Sequence, residues 1–553
     1  MRTLREAISQ VSAPGEVFET RERAGVREFL HAPESLRDIY DGARGEEKTF
    51  LVFRDESWSF ARVIEEADRF SGALVNELGV TPGDRVALLM RNRPEWVVAF
   101  AAVTGLGAVA VALNAWWSSE EVDYALQYSE PRVLVVDEAH AGLGVRLARP
   151  RGIAVVVVGE VDESIVDESG ASRYRDLLTR RHPAPTGRPR KEDLATMMFT
   201  SGTTGRPKGA VSTHGAITQS LMAFSAGLFI EALRQSERDH PPSEETTLIL
   251  LVPLFHVTGC IPVMLSSFTW HFTLVITTSW DPEEALRLIA RHRVTHVVGV
   301  PTQTYDLIHS PSFEVADLSS VARLGGGGAP TPAALVERVE TRLEHGRPNL
   351  GYGLTETNAY GPQNYGDDYV ARPSSTGQTP TIVMDVEIRR RSGAPCATGE
   401  VGEIWVNGPT LFSAYWRHEE ATREALVDGW FRTGDLGYLD DEGFLYVVDR
   451  TKDMIIRAGE NVYSAEVEAV LEAHPRVARA VVVGVSDDRL GQRVVAVIVA
   501  RRGENVSAQD LEEFARQHLA SYQVPSEIVI TKDPLPMTST GKVRKDVVRR
   551  RYF

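Results

Sequence analysis

From Arg85 to Val158 the chain alternates short, wholly apolar runs with longer amphipathic ones, and few architectures satisfy that pattern. Arg85 to Met90, Ala108 to Leu113, Arg132 to Val136 and Ile153 to Val158 read as strands, while Pro94 to Thr104, with proline in its first turn, and Ser119 to Gln127 read as helices. Strands that are apolar on both faces belong in a parallel sheet covered on both sides. Upstream, Val63, Ala67, Phe70, Leu74 and Leu78 share one face of a helix that the turn Thr81 to Asp84 ends. Further on, Thr213 is placed to cap a long helix through Ile217, Leu221 and Phe224, and Thr247 to Val252 and Thr295 to Val300 are buried strands flanking a helix from Pro282 to Ala290. The segment Arg234 to Glu245 has the charge and proline of a surface loop. Past Gly377 the segments shorten and read as antiparallel strands: Asp385 to Arg389, Gly402 to Val406, Phe444 to Val448. The last hundred residues read as a small α+β unit. There Ser464 can cap a helix bearing Val467, Val470 and Leu471, strands follow at Ala480 to Val485 and Arg493 to Ala500, and a Ser507/Asp510 capping box opens a helix burying Leu511, Phe514 and Leu519. The first 48 residues carry little pattern beyond a short helix near Leu36 to Tyr40. With 553 residues, at least two domains are expected.

The apolar run Leu194 to Phe199 leads into TSGTTGRPKG, Thr200 to Gly209. Gly202, Gly205 and Gly209 allow the backbone to turn sharply and bring its N–H groups to an anion; Thr200, Ser201, Thr203 and Thr204 add hydroxyl donors, and Lys208 adds a charge. No Gly-Lys-Ser/Thr follows at the Walker offset, and Pro207 would disturb a helix there, so this is a different kind of phosphate loop. Read alone, the same composition also suits an ordinary surface loop.

Four further motifs follow in order: GYGLTET (351–357), WFRTGD (430–435), DRTKDMIIRAGENV (449–462) and PMTSTGK (536–542). With the phosphate loop they resemble the signatures of the adenylate-forming superfamily, which includes acyl-CoA synthetases, firefly-type luciferases and peptide-synthetase adenylation domains. The resemblance implies an α/β fold: a large N-terminal domain, residues 1–449, of layered sheets and helices with a β-barrel-like part, and a small mobile α+β lid, residues 450–553. It implies ATP, Mg²⁺ and coenzyme A as the small molecules handled.

The resemblance also assigns residues. Glu356 would be the magnesium ligand, Thr355 would contact phosphate, and Tyr352 with Gly353 would lie against adenine; a single carboxylate suits a nucleotide-bound magnesium, which keeps phosphate oxygens and waters. The run Gly325 to Gly328 with Ala329 and Pro330 would admit the adenine ring and the acyl chain, or is simply a tight turn after a strand. Asp435 would bind the ribose hydroxyls, Arg450 would add a ribose or phosphate contact, Lys452 would be the hinge, and Gly459 would lie near CoA. Lys542 would be the cation that serves adenylation only, although a basic tail of Arg544, Lys545, Arg549, Arg550 and Arg551 surrounds it. His256 stands where peptide-synthetase domains carry the aspartate that holds an α-ammonium, so an amino-acid substrate would lose its charge partner. His256 and Val257 are therefore placed in the wall of an acyl pocket with Gly327, Leu221 and Phe224. Ala414 and Ser374–Ser375 depart from family glycines.

A net charge of −16 argues against nucleic acid or an anionic membrane as partner. Cys260 and Cys396 are far apart and in no metal-binding pattern. There is no secretory h-region and no apolar run of membrane-spanning length, which suits a cytoplasmic protein, with peripheral membrane contact left open and a monomer or homodimer equally admissible. The expected function is an AMP-forming carboxylate:CoA ligase acting on a small-molecule acid, with an apolar medium- to long-chain fatty acid expected first and an aryl acid second. An acyl-AMP ligase loading a carrier protein in trans, a luciferase-type oxygenase and a silent nucleotide-binding homologue are the alternatives.

Overall fold

The computed structural model describes the chain except residues 1–2, 168–169, 181, 201–205, 235–244, 330, 344, 380, 459, 502 and 538–542, and the side chains of 164 and 167. Two compact units emerge. One comprises residues 1–373, 377–385 and 407–431; the other comprises 374–376, 386–406 and 432–553. The division expected after Asp449 falls inside the second unit.

The first unit holds two eight-stranded sheets. In one the spatial order is Ala414–Tyr415, Lys208–Thr213, Leu194–Thr200, Val109–Ala112, Arg85–Leu89, Val133–Val136, Ala154–Val157, Ser172–Arg173. The alternating apolar runs pair in parallel there: Val86 with Ala110 and with Val133, and Val133 with Ala154. Both faces are covered. Val86 and Leu88 join the cluster of Phe70 and Trp96, while Ala87 and Leu89 join that of Val122 and Leu126. The helix Pro94–Gly105 is buried at every residue but Glu95, as its all-round apolarity requires.

The second sheet runs Gln363–Tyr365, Arg347–Gly351, Arg323–Gly327, His296–Gly299, Thr247–Leu250, Thr273–Ile276, Thr49–Phe53, Glu56–Ser59. The long helix His214–Arg234 starts at Thr213, whose Oγ1 accepts from Ala216 N–H at 3.1 Å, and buries Ile217 and Leu221 in the same cluster as Leu250 and Val252. By length and composition it is the single described helix that could cross a membrane, but 61% of its most apolar window is buried in this fold, so it is a core helix.

In the second unit, antiparallel strands take the order Phe444–Arg450, Trp430–Leu439, Gly402–Asn407, Asp385–Arg389, as the shortened pattern implied. A further sheet has the hairpin Val477–Asp487/Gly491–Ala500 at its centre, with Glu527–Thr531 parallel to the latter strand. The Ser507 capping box forms. Ser464 behaves otherwise: Tyr463 is the cap, and the buried Ser464 donates its hydroxyl to Asp449 at 2.8 Å and meets Lys545 Nζ at 2.5 Å. Near the N-terminus, the helix Leu4–Val11 and the hairpin Thr20–Arg23/Val26–Phe29 have no counterpart in the sequence reading.

Candidate active site

Thr200 pairs with Lys208 at the end of the antiparallel hairpin Leu194–Thr200/Lys208–Thr213. The connecting residues, among them Ser201, Gly202, Thr203, Thr204 and Gly205, lie outside the described residues. The hairpin thus delivers Thr200 and Lys208 from adjacent strand ends. Gly209 also has a packing reason. A Cβ there would stand 2.9 Å from Met197 Cγ and 3.1 Å from Tyr128 Cε1, so packing demands the glycine.

Ala414–Tyr415 extends this sheet, with Ala210 opposite Tyr415. Lys208 Nζ sits 5.2 Å from the Tyr415 ring centroid, and the Tyr415 hydroxyl donates to Glu356 Oε1 at 2.7 Å. Burial first, and then the Glu356 carboxylate, push the Tyr415 phenol far above its ordinary value, so it remains a neutral donor. Sequence reasoning missed Tyr415; its one signal was its place between the family departure at Ala414 and Trp416. Ala414 itself takes regular strand pairing opposite Val211.

Glu356 is 6% exposed and lies in the short 3₁₀ turn Thr355–Thr357. That turn is held from several sides. Phe412 N–H donates to the Glu356 carbonyl at 2.8 Å, Asn358 Nδ2 donates to Thr410 O at 2.8 Å, and Asn358 and Ala359 are both left-handed, at φ 51° and 65°. A Cβ on Gly353 would lie 2.1 Å from the Ala359 carbonyl oxygen, which is why GYGLTET needs that glycine. Two successive strained residues behind a buried carboxylate indicate a loop shaped for position rather than for stability. Tyr352 is anchored by its N–H to Pro362 O at 2.9 Å. The site offers one fixed carboxylate beside a cation. Among the described residues no cluster of three metal-binding side chains exists, and magnesium bound with a nucleotide does not require one.

Gly325 to Gly327 close the strand Arg323–Gly327, and Gly328 bends away just past its end. Cβ atoms on Gly325, Gly326 and Gly327 would lie 2.1, 2.0 and 2.6 Å from the backbone oxygens of Asn349, Gly299 and Gly351, so these glycines answer first to close strand packing. Gly328, at φ 84°, is exposed, and a Cβ there would meet only Val300 Cγ1, at 3.8 Å; Ala329 beside it is half-buried. Pro330 lies outside the described residues.

The long helix and this sheet face one another across residues that keep some accessible surface. Val297 and Leu324, on the far side of the sheet, are 2% and 3% exposed, whereas Val298 and Gly325 in the sheet interior, Val300 just past its strand, and Gln363 and Tyr365 on the edge strand retain accessible surface. Phe224, Gly227 and Glu231 stand on the helix side: Phe224 meets Tyr360 edge-on at 5.5 Å, and Gln363 Oε1 lies 3.7 Å from the position of a Cβ on Gly227. Leu221, by contrast, is fully in the core. His256 is half-buried against Phe255, its N–H bonded to Pro253 O at 3.1 Å, and leads into the helical stretch containing Val257.

In the second unit, Asp435 and Arg450 are opposite one another in register, with Arg450 Nε 3.3 Å from Asp435 Oδ1. Lys452 is exposed two residues further on. Gly459 and Lys542 lie outside the described residues.

Residues 40–416 match the model of the AMP-binding enzyme family, and residues 466–542 match that of the AMP-binding enzyme C-terminal domain. The chain belongs to the AMP-binding enzymes. A feruloyl-CoA synthase of Amycolatopsis is 38% identical over 88% of this chain and 93% of its own. A long-chain-fatty-acid–CoA ligase of Mycobacterium tuberculosis is 33% identical over 90% and 94%. The structure of the o-succinylbenzoate CoA synthetase of Bacillus subtilis, in complex with its acyl-adenylate intermediate, superposes with a TM-score of 0.77 at 29% identity, covering 94% of this chain and 98% of that one. This AMP-binding enzyme is an ATP-dependent acyl-CoA synthetase, an AMP-forming acid:CoA ligase with ATP and CoA as substrates.

Proposed function

We propose that the acid is a compact aryl or aryl-alkenyl carboxylate rather than the medium- to long-chain fatty acid expected first. The observation that carries this is a spacing: Phe224, Gly227, Gly325 and Gln363 outline a slot between the long helix and the sheet, and Arg323, paired with Glu231 across it, stands four residues before Gly327, roughly 13 Å along the strand. A flat ring suits a slot faced by Gly227 and Gly325 and flanked by Phe224, whereas a long alkyl chain would run into the ion pair. The relatives' names include both an aryl and a fatty acid, and the slot favours the former.

The chemistry is a two-step transfer. The carboxylate attacks the α-phosphorus of ATP, pyrophosphate leaves, and the CoA sulfur then attacks the acyl carbon, expelling AMP. Glu356, oriented by Tyr415, would hold magnesium, which neutralises phosphate charge; Lys208, Thr200, Ser201, Gly202, Thr203, Thr204 and Gly205 would receive the phosphates with Thr355. Gly328, Ala329, Pro330, Tyr352 and Gly353 would receive the adenine, and Asp435 and Arg450 the ribose. Lys542 would stabilise the charge that develops when two anions approach, and residues 450–553 would then rotate at Lys452, bringing Gly459 toward CoA. His256, Val257, Gly327 and Phe224 would wall the acyl group, and Leu221 would back that wall from the core.

Initial rates of AMP release over a panel of benzoates, cinnamates and C6 to C16 acids, each with and without CoA, test this reading. A cinnamate-sized acid should give the highest kcat/KM, and a maximum at any C6 to C16 acid would overturn it. CoA-independent turnover on a carrier protein would redirect the acceptor.

A further inference from the structure

The slot ends in charge, which a plain hydrocarbon tail has no use for. The Arg323 guanidinium donates to Glu231 and to its neighbour's carbonyl, Ala322 O, at 3.0 Å, and both side chains are about nine-tenths hidden, 13% and 15% exposed. Glu231 projects from the same helix face as Phe224 and Gly227, three and four residues apart in turn. Arg323 stands beside His296 in register, whose Nδ1 lies 2.9 Å from Thr295 Oγ1. Burial, then the Arg323 charge, lower His296 to about 4, so it is neutral at ordinary pH. Tyr365 lies opposite Asn349 in register, and Asn349 opposite Gly325, two residues past Arg323, so Tyr365 shares Arg323's face of the sheet; burial, then the Glu231 carboxylate, push its phenol well up, leaving it a neutral donor.

We infer that Arg323, Glu231 and Tyr365 form the specificity-determining end of the acyl slot and recognise a hydroxyl on the acid, a phenol or a terminal alcohol. This rests on the slot being the acyl site. The chemistry of the pair selects the group. A hydroxyl can donate to the carboxylate and accept from the guanidinium at once, whereas a second carboxylate would face the like charge of Glu231 and a methyl terminus would strip water from the pair and return no hydrogen bond. Two partly buried charges are also a costly way to close an apolar slot, because apolar residues of similar volume would serve a plain chain as well or better. A site arranged to hydrogen-bond a substrate hydroxyl discriminates strongly against the analogue that lacks it.

The test uses two matched pairs of acids, cinnamate with 4-hydroxycinnamate and octanoate with 8-hydroxyoctanoate, measured by AMP release with ATP and CoA. The wild-type enzyme should prefer the hydroxylated member in kcat/KM by roughly tenfold or more. In the double variant Arg323→Met/Glu231→Leu, with folding checked by thermal melting, the preference should vanish or reverse. Tyr365→Phe, which keeps the ring and its packing, should reduce it several-fold while the KM for ATP stays unchanged. Preference for 8-hydroxyoctanoate over octanoate, with both aryl acids poorly used, would overturn the aryl reading and leave this inference standing. Good use of aryl acids with no preference for the hydroxyl, or a preference that survives in both variants, would overturn the inference and make the pair a tie between helix and sheet only.

Discussion

Tyr415→Phe isolates the contribution of one hydroxyl to the adenylation site. The substitution keeps the ring over which Lys208 Nζ lies at 5.2 Å and removes only the 2.7 Å bond to Glu356. A hydrogen bond to a charged, buried acceptor is worth about 1.5–3 kcal/mol, so its loss corresponds to roughly a tenfold to hundredfold effect where the carboxylate acts. Because the phenol is held neutral by burial and by Glu356 itself, the bond is present throughout the working pH range. Acid-dependent ATP–pyrophosphate exchange, followed against magnesium concentration and pH, measures the step. The expected result is a loss of about tenfold or more in exchange, a higher magnesium requirement, and an acidic limb displaced to higher pH, since the ionised carboxylate has lost its donor. Thioester formation from supplied acyl-AMP and CoA should be nearly unchanged. Exchange equal to wild type at every magnesium concentration would refute the assignment of Glu356 as a carboxylate oriented by Tyr415.

Three other outcomes are expected. Gly353→Ala forces a methyl to within 2.1 Å of the Ala359 carbonyl oxygen and should cost about 1–3 kcal/mol in a melting experiment, with adenylation falling further than stability alone explains. His214 is fully buried and its folded pKa is lowered by burial to about 4, against 6.5 when free, so its neutral form contributes ~3 kcal/mol that is complete above pH 6.5 and is lost as pH falls toward 4. His214→Asn should flatten that part of the stability–pH curve, and an unchanged slope would count against it. Lys542→Ala should cut pyrophosphate exchange by roughly two orders of magnitude, about 3 kcal/mol of transition-state stabilisation, while leaving thioester formation from acyl-AMP intact; unimpaired exchange would sink its role.

Much of this fold was legible because its strands are apolar on both faces, a pattern that admits only a covered parallel sheet; Arg85–Leu89, Val133–Val136 and Ala154–Val157 lie where their composition required. Membership of the AMP-binding enzymes was legible because the five motifs resemble that family's signatures in their order along the chain. The physical reasons for several glycines were not. Gly209 and Gly325 to Gly327 answer to Met197, Tyr128 and neighbouring strand backbones, contacts made across long sequence separations. Tyr415 was hidden for the same reason, since its partner Glu356 lies 59 residues away. The N-terminal helix and hairpin escaped because each element is eight residues or shorter, and the Ala24–Gly25 turn depends on left-handed backbone at both residues rather than on a recognisable pair. Ser464 misled because a serine ahead of an apolar run suits a cap, and only the fold shows Asp449 beside it.

The central claim is that this enzyme joins the acid's own oxygen to the α-phosphorus before CoA arrives. Turnover of carboxyl-¹⁸O-labelled 4-hydroxycinnamate with ATP, magnesium and CoA, followed by mass spectrometry of the nucleotide product, tests it most directly. The account requires AMP carrying one ¹⁸O in its phosphate and unlabelled pyrophosphate. Unlabelled AMP, or ADP in place of AMP, would contradict it.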